Sequence, residues 1–186
     1  RIFGKKHILD FGGGTGLLAR LLRDLGLTVY SRDKYLEPEL IRGLEPRQEW
    51  MPEIVTAFEV VEHLDNPNSQ LEEIFGLKPD LVVFSTQIYS RQGPNWWYLS
   101  PDNGQHLFFY SREAMSLIAK RFDYKLTMAG GYQIFSRKKY RIREYLIKLF
   151  INKFFVHGMR SLLLLSYPKG AEADLAILRN SRAPRR

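Results

Sequence analysis

A run of glycines directly after a short apolar segment constrains this chain more than any other feature. Residues 7–11, His-Ile-Leu-Asp-Phe, form an apolar stretch typical of a strand that is buried on both faces. Gly12, Gly14 and Gly16 follow, and because they lack Cβ atoms they allow positive φ angles and close approach of a ligand to the backbone. A helix is predicted next, with one apolar stripe formed by Leu17, Leu18, Leu21, Leu22 and Leu25. The order of strand, glycine turn and helix predicts a nucleotide-binding unit.

An acidic residue lies where a ribose diol would need it. A second strand is predicted over residues 28–31, and Asp33 follows its carboxyl end, 21 residues after Gly12. This is close to the spacing of about 20 residues at which an acid reaches ribose hydroxyls. The dinucleotide pattern G-x-G-x-x-G would need a glycine at position 17, where Leu17 is found. A pyrophosphate ligand is therefore disfavoured.

The pattern D-x-G-x-G-x-G, formed by Asp10, Gly12, Gly14 and Gly16, resembles the first motif of the class I S-adenosylmethionine-dependent methyltransferases. The resemblance implies S-adenosylmethionine as the cofactor. It implies that Asp10 and the glycine backbone hold the methionine end, and that Asp33 accepts hydrogen bonds from both ribose hydroxyls. The ligand agrees with the spacing, because it carries a ribose diol and no phosphate.

A second block, residues 58–64 with the sequence Phe-Glu-Val-Val-Glu-His-Leu, resembles the fourth-strand motif of small-molecule methyltransferases. In that family the end of this strand passes under the sulfonium. The resemblance therefore assigns Phe58 and Glu59 to the cofactor site. Glu62 and His63 either belong to the site or form a charged, solvated loop, and the sequence leaves both interpretations open.

A long loop rich in aromatic residues follows the strand predicted over residues 81–86. Ligands of open α/β sheets bind beyond the carboxyl ends of the strands, so this loop is predicted to wall the substrate pocket. A small aromatic core beneath the loop is the alternative. Residues 96–111 resemble the substrate loop of methyltransferases that act on small molecules and on sugar or glycan precursors. The candidate substrate-binding residues are Thr86, Gln87, Trp97, Tyr98 and Gln105.

His106 is the first candidate for a catalytic base. In relatives with a Glu-His pair in this loop the histidine is taken as the general base, and the resemblance transfers that role to His106. Gln105 replaces the acid of that pair, so the carboxylate partner is absent. His63 is the second candidate. No Asp, Glu and His cluster with metal-ligand spacing is visible along the chain, so a metal-free reaction is predicted.

Strand and helix alternate along residues 7–86, which predicts an α/β fold, doubly wound and Rossmann-like, with a mainly parallel sheet. Prolines within 34–52 leave room only for a short third strand. Residues 123–129 and 132–137 predict a hairpin at two glycines, which makes the last strand antiparallel. A competing register makes 174–179 the last strand.

Capping residues predict two helix starts. Ser69 and Glu72 form a capping box that opens a short helix, and Ser111 caps a helix over residues 112–121. Both helices are expected to place apolar side chains against the sheet.

The basic excess of the chain lies at its end. The formal net charge is +8, yet residues 1–135 hold 15 Lys and Arg against 17 Asp and Glu, whereas residues 136–186 hold 13 against 3. The chain is therefore divided into a methyltransferase-like domain over 1–137 and a basic amphipathic helical extension over 138–186. The extension packs on the domain or on a second copy in a homodimer, or lies on a membrane surface through 138–165. Nucleic acid is disfavoured as a partner, because the domain itself has no basic excess.

Composition limits the cellular compartments in which the protein is expected. The chain has no cysteine, which excludes disulfides and thiolate metal sites. No apolar run approaches the roughly 18 residues of a membrane-spanning helix, and no secretory signal is visible. A cytoplasmic protein is expected, with peripheral membrane association as a variant. The chain begins at Arg1, so a preceding N-terminal segment is expected.

The resemblance implies an enzyme that transfers a methyl group from S-adenosylmethionine to a small-molecule or sugar/glycan-type acceptor. Two alternatives are weighed against it. A catalytically silent module of this fold would dock through its basic tail, and the intact Asp10 and Asp33 disfavour it. An RNA methyltransferase would need basic residues on the catalytic domain, and the charge balance disfavours that alternative.

Overall fold

One mixed sheet with helices on both faces makes up the part of the chain that the computed structural model describes, residues 7–44 and 50–137. The strands are β1 (His7–Phe11), β2 (Thr28–Arg32), β3 (Ile54–Phe58), β4 (Leu81–Ser85), β5 (Lys125–Ala129) and β6 (Tyr132–Ser136). The helices are α1 (Leu17–Asp24), α2 (Pro67–Gly76) and α3 (Arg112–Arg121), with 3-10 turns at Glu39–Ile41, Val61–His63 and Trp97–Leu99. The helical extension predicted over 138–186 and the alternative strand at 174–179 lie outside the described residues.

The strand order in the sheet is β2-β1-β3-β4-β6-β5. Strands β1 to β4 are parallel, whereas β6 runs antiparallel to both β4 and β5. Gly130 and Gly131 join β5 to β6 with φ angles of 60° and 87°, the left-handed values that a tight hairpin turn needs. The predicted α/β class, with a mainly parallel sheet and an antiparallel last strand, is confirmed.

Apolar side chains cover both faces of the sheet. Neighbouring residues of β1 face opposite sides, as the alternation of a strand requires. Ile8 packs in a cluster with Ala19 of α1, whereas Leu9 belongs to a second cluster with Phe75 of α2 and Met115 of α3. The carboxyl ends of the four parallel strands therefore meet at one edge between two helical layers. None of the helices in the described residues has the length and apolar character needed to cross a bilayer.

Helix α1 buries only part of the leucine stripe that its sequence predicts: Leu18, Leu22 and Leu25 are half-buried, and Leu22 packs against the cluster that contains Ala19. Leu17 and Leu21 are 57% and 53% exposed, and the helix instead buries Ala19 and Arg23. The guanidinium of Arg23 donates to the carbonyl of Val29 at 2.8 Å, so a charged side chain is accommodated on the inner face. Leucine spacing alone does not show which residues of a short helix face the sheet, so the exposure of Leu17 and Leu21 and the burial of Arg23 were not predicted.

The two predicted helix starts have different outcomes. Helix α2 begins at Pro67, and its cap is Asn66, whose side chain accepts from the N–H of Ser69 at 3.3 Å. The predicted capping box is therefore wrong, since Ser69 already lies inside the helix and Pro suits the first helical position. Helix α3 is capped as predicted, because the Ser111 hydroxyl accepts from the N–H of Ala114 at 3.2 Å.

The short third strand predicted within 34–52 is not formed by the described residues of that range, 34–44 and 50–52. A 3-10 turn at Glu39–Ile41 occupies part of it. This segment packs against the glycine turn, because a Cβ atom on Gly16 would lie 3.2 Å from side-chain atoms of Pro38 and Ile41. The chain after β2 therefore folds back towards the glycines.

Candidate functional site

A cleft of about 830 Å³ opens beside the carboxyl ends of β1, β2 and β3. Its lining comes from five segments of the chain, and it includes Gly12, Asp33, Glu59, His63 and Gln105. Open α/β sheets bind their ligands at this edge. The cleft is therefore the candidate active site, and it brings together residues from each segment that the sequence singled out.

Asp33 joins the glycine turn to the segment that follows β2. Its Oδ2 accepts from the N–H of Gly14 at 2.9 Å, and its Oδ1 accepts from the N–H groups of Tyr35 and Leu36 at 2.8 and 3.0 Å. An ionised carboxylate has about four acceptor positions, so these three bonds orient the group and leave capacity for a ligand hydroxyl. The carboxylate thus has a structural role beside its predicted ribose contact.

Asp10 lies beneath the glycine turn and is 2% exposed. Its Oδ1 accepts from the Thr56 hydroxyl at 2.8 Å, while its Oδ2 and the hydroxyl of Ser31 have no hydrogen-bond partner. Burial raises the pKa of Asp10 to about 6, against the lowering effect of the Thr56 bond, and the charge of Asp33 contributes to the rise. A buried carboxylate oxygen without a donor is costly unless a ligand or water supplies one.

Gly13 is a site residue that the glycine motif did not include. A Cβ atom at this position would lie 2.3 Å from Asp10 Oδ2 and 2.3 Å from Ser31 Oγ, closer than any side chain tolerates. Only glycine fits above these two polar atoms. The available signal was the unbroken run of three glycines at 12–14.

The residues around the glycine turn fit the methionine end of S-adenosylmethionine. The unpartnered oxygen of Asp10 complements an ammonium group, and the first turn of α1 has no side-chain cap because Gly16 precedes it. Unpaired N–H groups at a helix start favour a carboxylate. The chemistry of these donors and acceptors therefore matches a ligand that carries both charges.

Two carboxylates converge on one phenol behind the cleft. The hydroxyl of Tyr98 donates to Glu62 Oε1 in a short hydrogen bond and lies 3.1 Å from Glu59 Oε2 and 3.1 Å from the hydroxyl of Thr86. A phenol has a single hydrogen, so it can satisfy only one of the two carboxylates. Glu62 is fully buried, its Oε2 has no partner, and burial, with the nearby charge of Glu59, raises its pKa.

His63 and His106 form a pair, with ring centroids 4.7 Å apart. His63 Nδ1 lies 2.8 Å from the carbonyl oxygen of Gln105, and His106 Nδ1 lies 2.6 Å from that of Tyr98. Carbonyl oxygens only accept, so Nδ1 carries the hydrogen in both rings, and each neutral ring keeps a lone pair on Nε2. The two candidate bases are thus adjacent and in the same tautomer.

The predicted site residues are divided between the cleft and its surroundings. Those that do not line the cleft are Asp10, Gly14, Gly16, Phe58, Thr86, Gln87, Trp97, Tyr98 and His106. The 3-10 turn at Trp97–Leu99 points Tyr98 inward, where it is 1% exposed, and leaves Trp97 73% exposed. Of the five predicted substrate residues, Gln105 lines the cleft, while buried Thr86 bonds to Tyr98 and Gln87 is exposed.

Tyr35, Leu36 and Val60 line the cleft without having been predicted. Val60 also packs on the glycine turn, since a Cβ atom on Gly12 would lie 2.7 Å from Val60 Cγ2. Their only sequence signal is position, because Tyr35 and Leu36 follow Asp33 and Val60 follows β3. Apolar residues of this kind shape a pocket without forming a recognisable motif.

Fold and cleft together define a Rossmann-like domain with a site for a nucleoside ligand. The chain belongs to the methyltransferase domain family, whose profile matches residues 1–129. The ubiquinone biosynthesis O-methyltransferase of Salmonella paratyphi A is 34% identical over 115 residues, covering 51% of this chain and 47% of the relative. The chain therefore spans about half the length of the curated relative it matches.

Solved methyltransferase structures share the fold. The magnesium protoporphyrin IX methyltransferase from Synechocystis PCC 6803, crystallised with bound SAH, has a TM-score of 0.50 and 15% identity, covering 70% of this chain and 73% of that one. The methyltransferase domain of bacterial CtHen1-C has a TM-score of 0.53 and 19% identity, covering 72% and 90%. The resemblance to S-adenosylmethionine-dependent class I methyltransferases is confirmed at the level of family and fold.

Proposed function

We propose that this chain transfers the methyl group of S-adenosylmethionine to a hydroxyl oxygen of a small molecule. The observation that carries the proposal is a cleft that is lined by Asp33 beside the glycine turn and by His63 beside its partner His106. One relative named an O-methyltransferase supports an oxygen acceptor.

The cofactor's contribution is a methyl group on a sulfonium, which is already activated for displacement. Asp10 and the glycine turn hold the methionine end, and Asp33 accepts from a ribose hydroxyl at the acceptor position that its three backbone bonds leave. Glu59 completes this part of the site, with Oε1 accepting from the Ser85 hydroxyl at 2.7 Å, so the carboxylate is held in place. Alignment is the main task of the protein, since well-oriented reactants recover on the order of 7–11 kcal/mol of barrier.

The acceptor hydroxyl must lose a proton as its oxygen is methylated. His106 is the first choice for the base and His63 the second, because each has a lone pair on Nε2 and an Nδ1–H that is fixed by a backbone carbonyl. The neutral imidazole is the form that accepts a proton, and the fixed ring is oriented before the acceptor arrives.

The acceptor class extends to sugar and glycan precursors, on the resemblance of residues 96–111 to the loops of such enzymes. Contact with a membrane surface or a second copy through 138–165 remains part of the proposal, and that segment lies outside the described residues.

Two measurements on the 186-residue chain test the proposal. Calorimetric titration should give binding of S-adenosylmethionine on the order of micromolar and none of NAD. Mass spectrometry should then detect transfer of a methyl group to catechols, hydroxybenzoates or free sugars, with a short RNA as the comparison. Methylation of the RNA alone would contradict a small-molecule acceptor, and absence of cofactor binding would favour the silent docking module.

A further inference from the structure

Three potential metal ligands meet beside the cleft. Glu62, His63 and His106 each place one ligand-type atom so that all three atoms lie within 4.8 Å of one another. Two are adjacent in sequence and the third comes from a loop 43 residues further on. Ligand atoms of one octahedral ion lie roughly 3–4 Å apart, so small side-chain rotations close the set around an ion.

Both imidazoles are prepared as ligands. A metal-binding histidine commonly donates its second ring N–H to a carboxylate or a backbone carbonyl, which fixes the ring and directs the other nitrogen at the ion. His63 and His106 each do this through Nδ1, to the carbonyls of Gln105 and Tyr98. Each Nε2 lone pair is therefore available to a cation.

Neither Glu59 nor Glu62 forms an ion pair with a lysine or arginine of the described residues. Glu62 is fully buried with no partner at Oε2, and the single hydrogen of Tyr98 cannot serve both Glu62 and Glu59. A buried carboxylate is unfavourable unless it is paired or coordinates a metal. A cation would supply the missing charge.

We propose that Glu62, His63 and His106 bind a divalent transition-metal ion, with Glu59 as a nearby carboxylate. Two imidazoles and one carboxylate suit ions such as Mn²⁺, Fe²⁺ or Zn²⁺, whereas Ca²⁺ and Mg²⁺ prefer oxygen ligands alone. Three protein ligands leave coordination positions unfilled, which is typical of a catalytic rather than a structural site. The sequence prediction of a metal-free reaction rested on spacing along the chain, which does not show that the loop returns His106 to His63.

The ion would also restrict the class of molecules that can accept the methyl group. This inference rests on the proposed function. His63 lines the cleft, so an ion at this cluster lies next to the acceptor. Its unfilled positions select acceptors that offer two neighbouring oxygen atoms, such as a catechol or a hydroxy acid. With the ion bound, the two Nε2 lone pairs are ligands and no longer bases, so His63 and His106 position the acceptor through the metal. The ion lowers the pKa of the coordinated acceptor hydroxyl, whose proton passes to solvent water as the oxygen takes the methyl group.

Direct binding measurements test the metal site without any methyl transfer. The chain, free of a histidine tag and treated with a chelator, is titrated with Mn²⁺, Zn²⁺ and Mg²⁺ by calorimetry, and the Mn²⁺ samples are read by electron paramagnetic resonance. We expect one Mn²⁺ or Zn²⁺ per chain, bound more tightly than Mg²⁺. His63→Gln and His106→Gln should each weaken binding by more than about 100-fold, beyond what loss of an outer partner costs.

His7→Gln is the matched control, because His7 is an exposed imidazole that packs near Trp50 and lies outside the cluster. Its binding should equal that of the original chain. Each variant is first checked for folding by circular dichroism and thermal unfolding, and Glu62→Gln supplies a third ligand variant. Absence of stoichiometric binding, or binding that survives in both histidine variants, would overturn the metal site.

The two proposals can fail separately. Mn²⁺ binding by a chain that does not bind S-adenosylmethionine would refute the proposed function and leave the metal site standing. If cofactor binding and methyl transfer persist at full rate after chelation, with no ion bound, the metal site is refuted and the proposed function stands. If the ion selects the acceptor, the original chain should methylate catechol and not its monohydroxy analogue. His63→Gln should lose this preference.

Discussion

The imidazole rings of His63 and His106 meet edge to face, with their planes at 66°. The backbone enforces this contact, because the N–H groups of Leu107 and Phe108 donate to the carbonyl of Glu62 at 2.8 and 3.1 Å. The loop before α3 is therefore fixed to the turn after β3, and backbone hydrogen bonds hold the two rings together.

His106→Ala should slow methyl transfer by roughly 100-fold or more, since either a general base or a ligand that positions the acceptor is lost. Affinity for S-adenosylmethionine should not change, because the residues assigned to the cofactor lie in other segments. Steady-state kinetics and calorimetry of the same protein separate the two effects. His7→Ala removes an imidazole far from the cleft and should be as active as the original chain. Equal turnover in His106→Ala would exclude a catalytic role for that ring.

Asp33→Ala should weaken S-adenosylmethionine binding by about 1.5–3 kcal/mol, since charge-assisted hydrogen bonds to the ribose are lost. This corresponds to roughly 10- to 150-fold in Kd, measured by calorimetry. The substitution also removes the acceptor for Gly14, Tyr35 and Leu36, so thermal unfolding should shift to lower temperature.

Asp65→Asn is the control for a change of charge near the cleft, because Asp65 is exposed and forms an ion pair with Lys34 at 2.9 Å. It should leave cofactor affinity unchanged. If Asp33→Ala binds the cofactor as tightly as the original chain, the ribose lies elsewhere.

Gly13→Ala should destabilise the fold and abolish cofactor binding. Its Cβ atom would press on Asp10 Oδ2 and Ser31 Oγ, and Asp10 cannot swing away while Thr56 holds it in a buried position. Overpacking of this kind typically costs about 1–3 kcal/mol. Urea unfolding measures the loss of stability. Gly76→Ala is the matched control. A Cβ atom at that position meets nothing within 4 Å, so this substitution should be tolerated.

The fold was predictable from the sequence because the glycine turn, the apolar strands and the hairpin glycines are local signals. Side-chain burial on α1 was not, since five leucines on one stripe gave no hint that Arg23 would be buried through its bond to Val29. The start of α2 was misplaced because Asn66 and Ser69 are both good caps, and only the backbone decides between them.

The cofactor site stays a prediction, made from local signals because Asp10 and Asp33 lie at fixed distances from the glycines; the structure places Asp33 in the cleft and Asp10 beneath the glycine turn. The acceptor part was not predictable from such signals. His63 and His106 each gave a weak signal alone, and their contact depends on a long loop whose return path no periodicity describes. Tyr98 was predicted to contact substrate, yet it lies buried against Glu62, because the three side chains of a 3-10 turn point in three directions and that of Tyr98 faces the core.

Asp10→Asn should make the protein more stable at neutral pH and a poorer binder of its cofactor. The pKa of Asp10 is about 6 in the folded state against 3.8 for the unfolded chain, so the folded state favours the protonated form. Stability from this group is fully present below pH 3.8 and is lost as the pH rises through about 6. The loss amounts to about 3 kcal/mol at most, since one pKa unit corresponds to about 1.36 kcal/mol.

Asparagine keeps an oxygen for the Thr56 bond and has no charged form, so Asp10→Asn should escape this loss. Urea unfolding at pH 4.5 and 7.5, followed by tryptophan fluorescence, measures the free energy of unfolding of both proteins. The advantage of Asp10→Asn over the original chain should be larger at the higher pH. Asp65→Asn should behave oppositely and weakly, because the exposed ion pair with Lys34 lowers the pKa of Asp65. Parallel pH dependence in Asp10→Asn and the original chain would refute the raised pKa. A gain in stability with weaker cofactor binding would mean that the buried charge is retained for the ammonium group of the ligand.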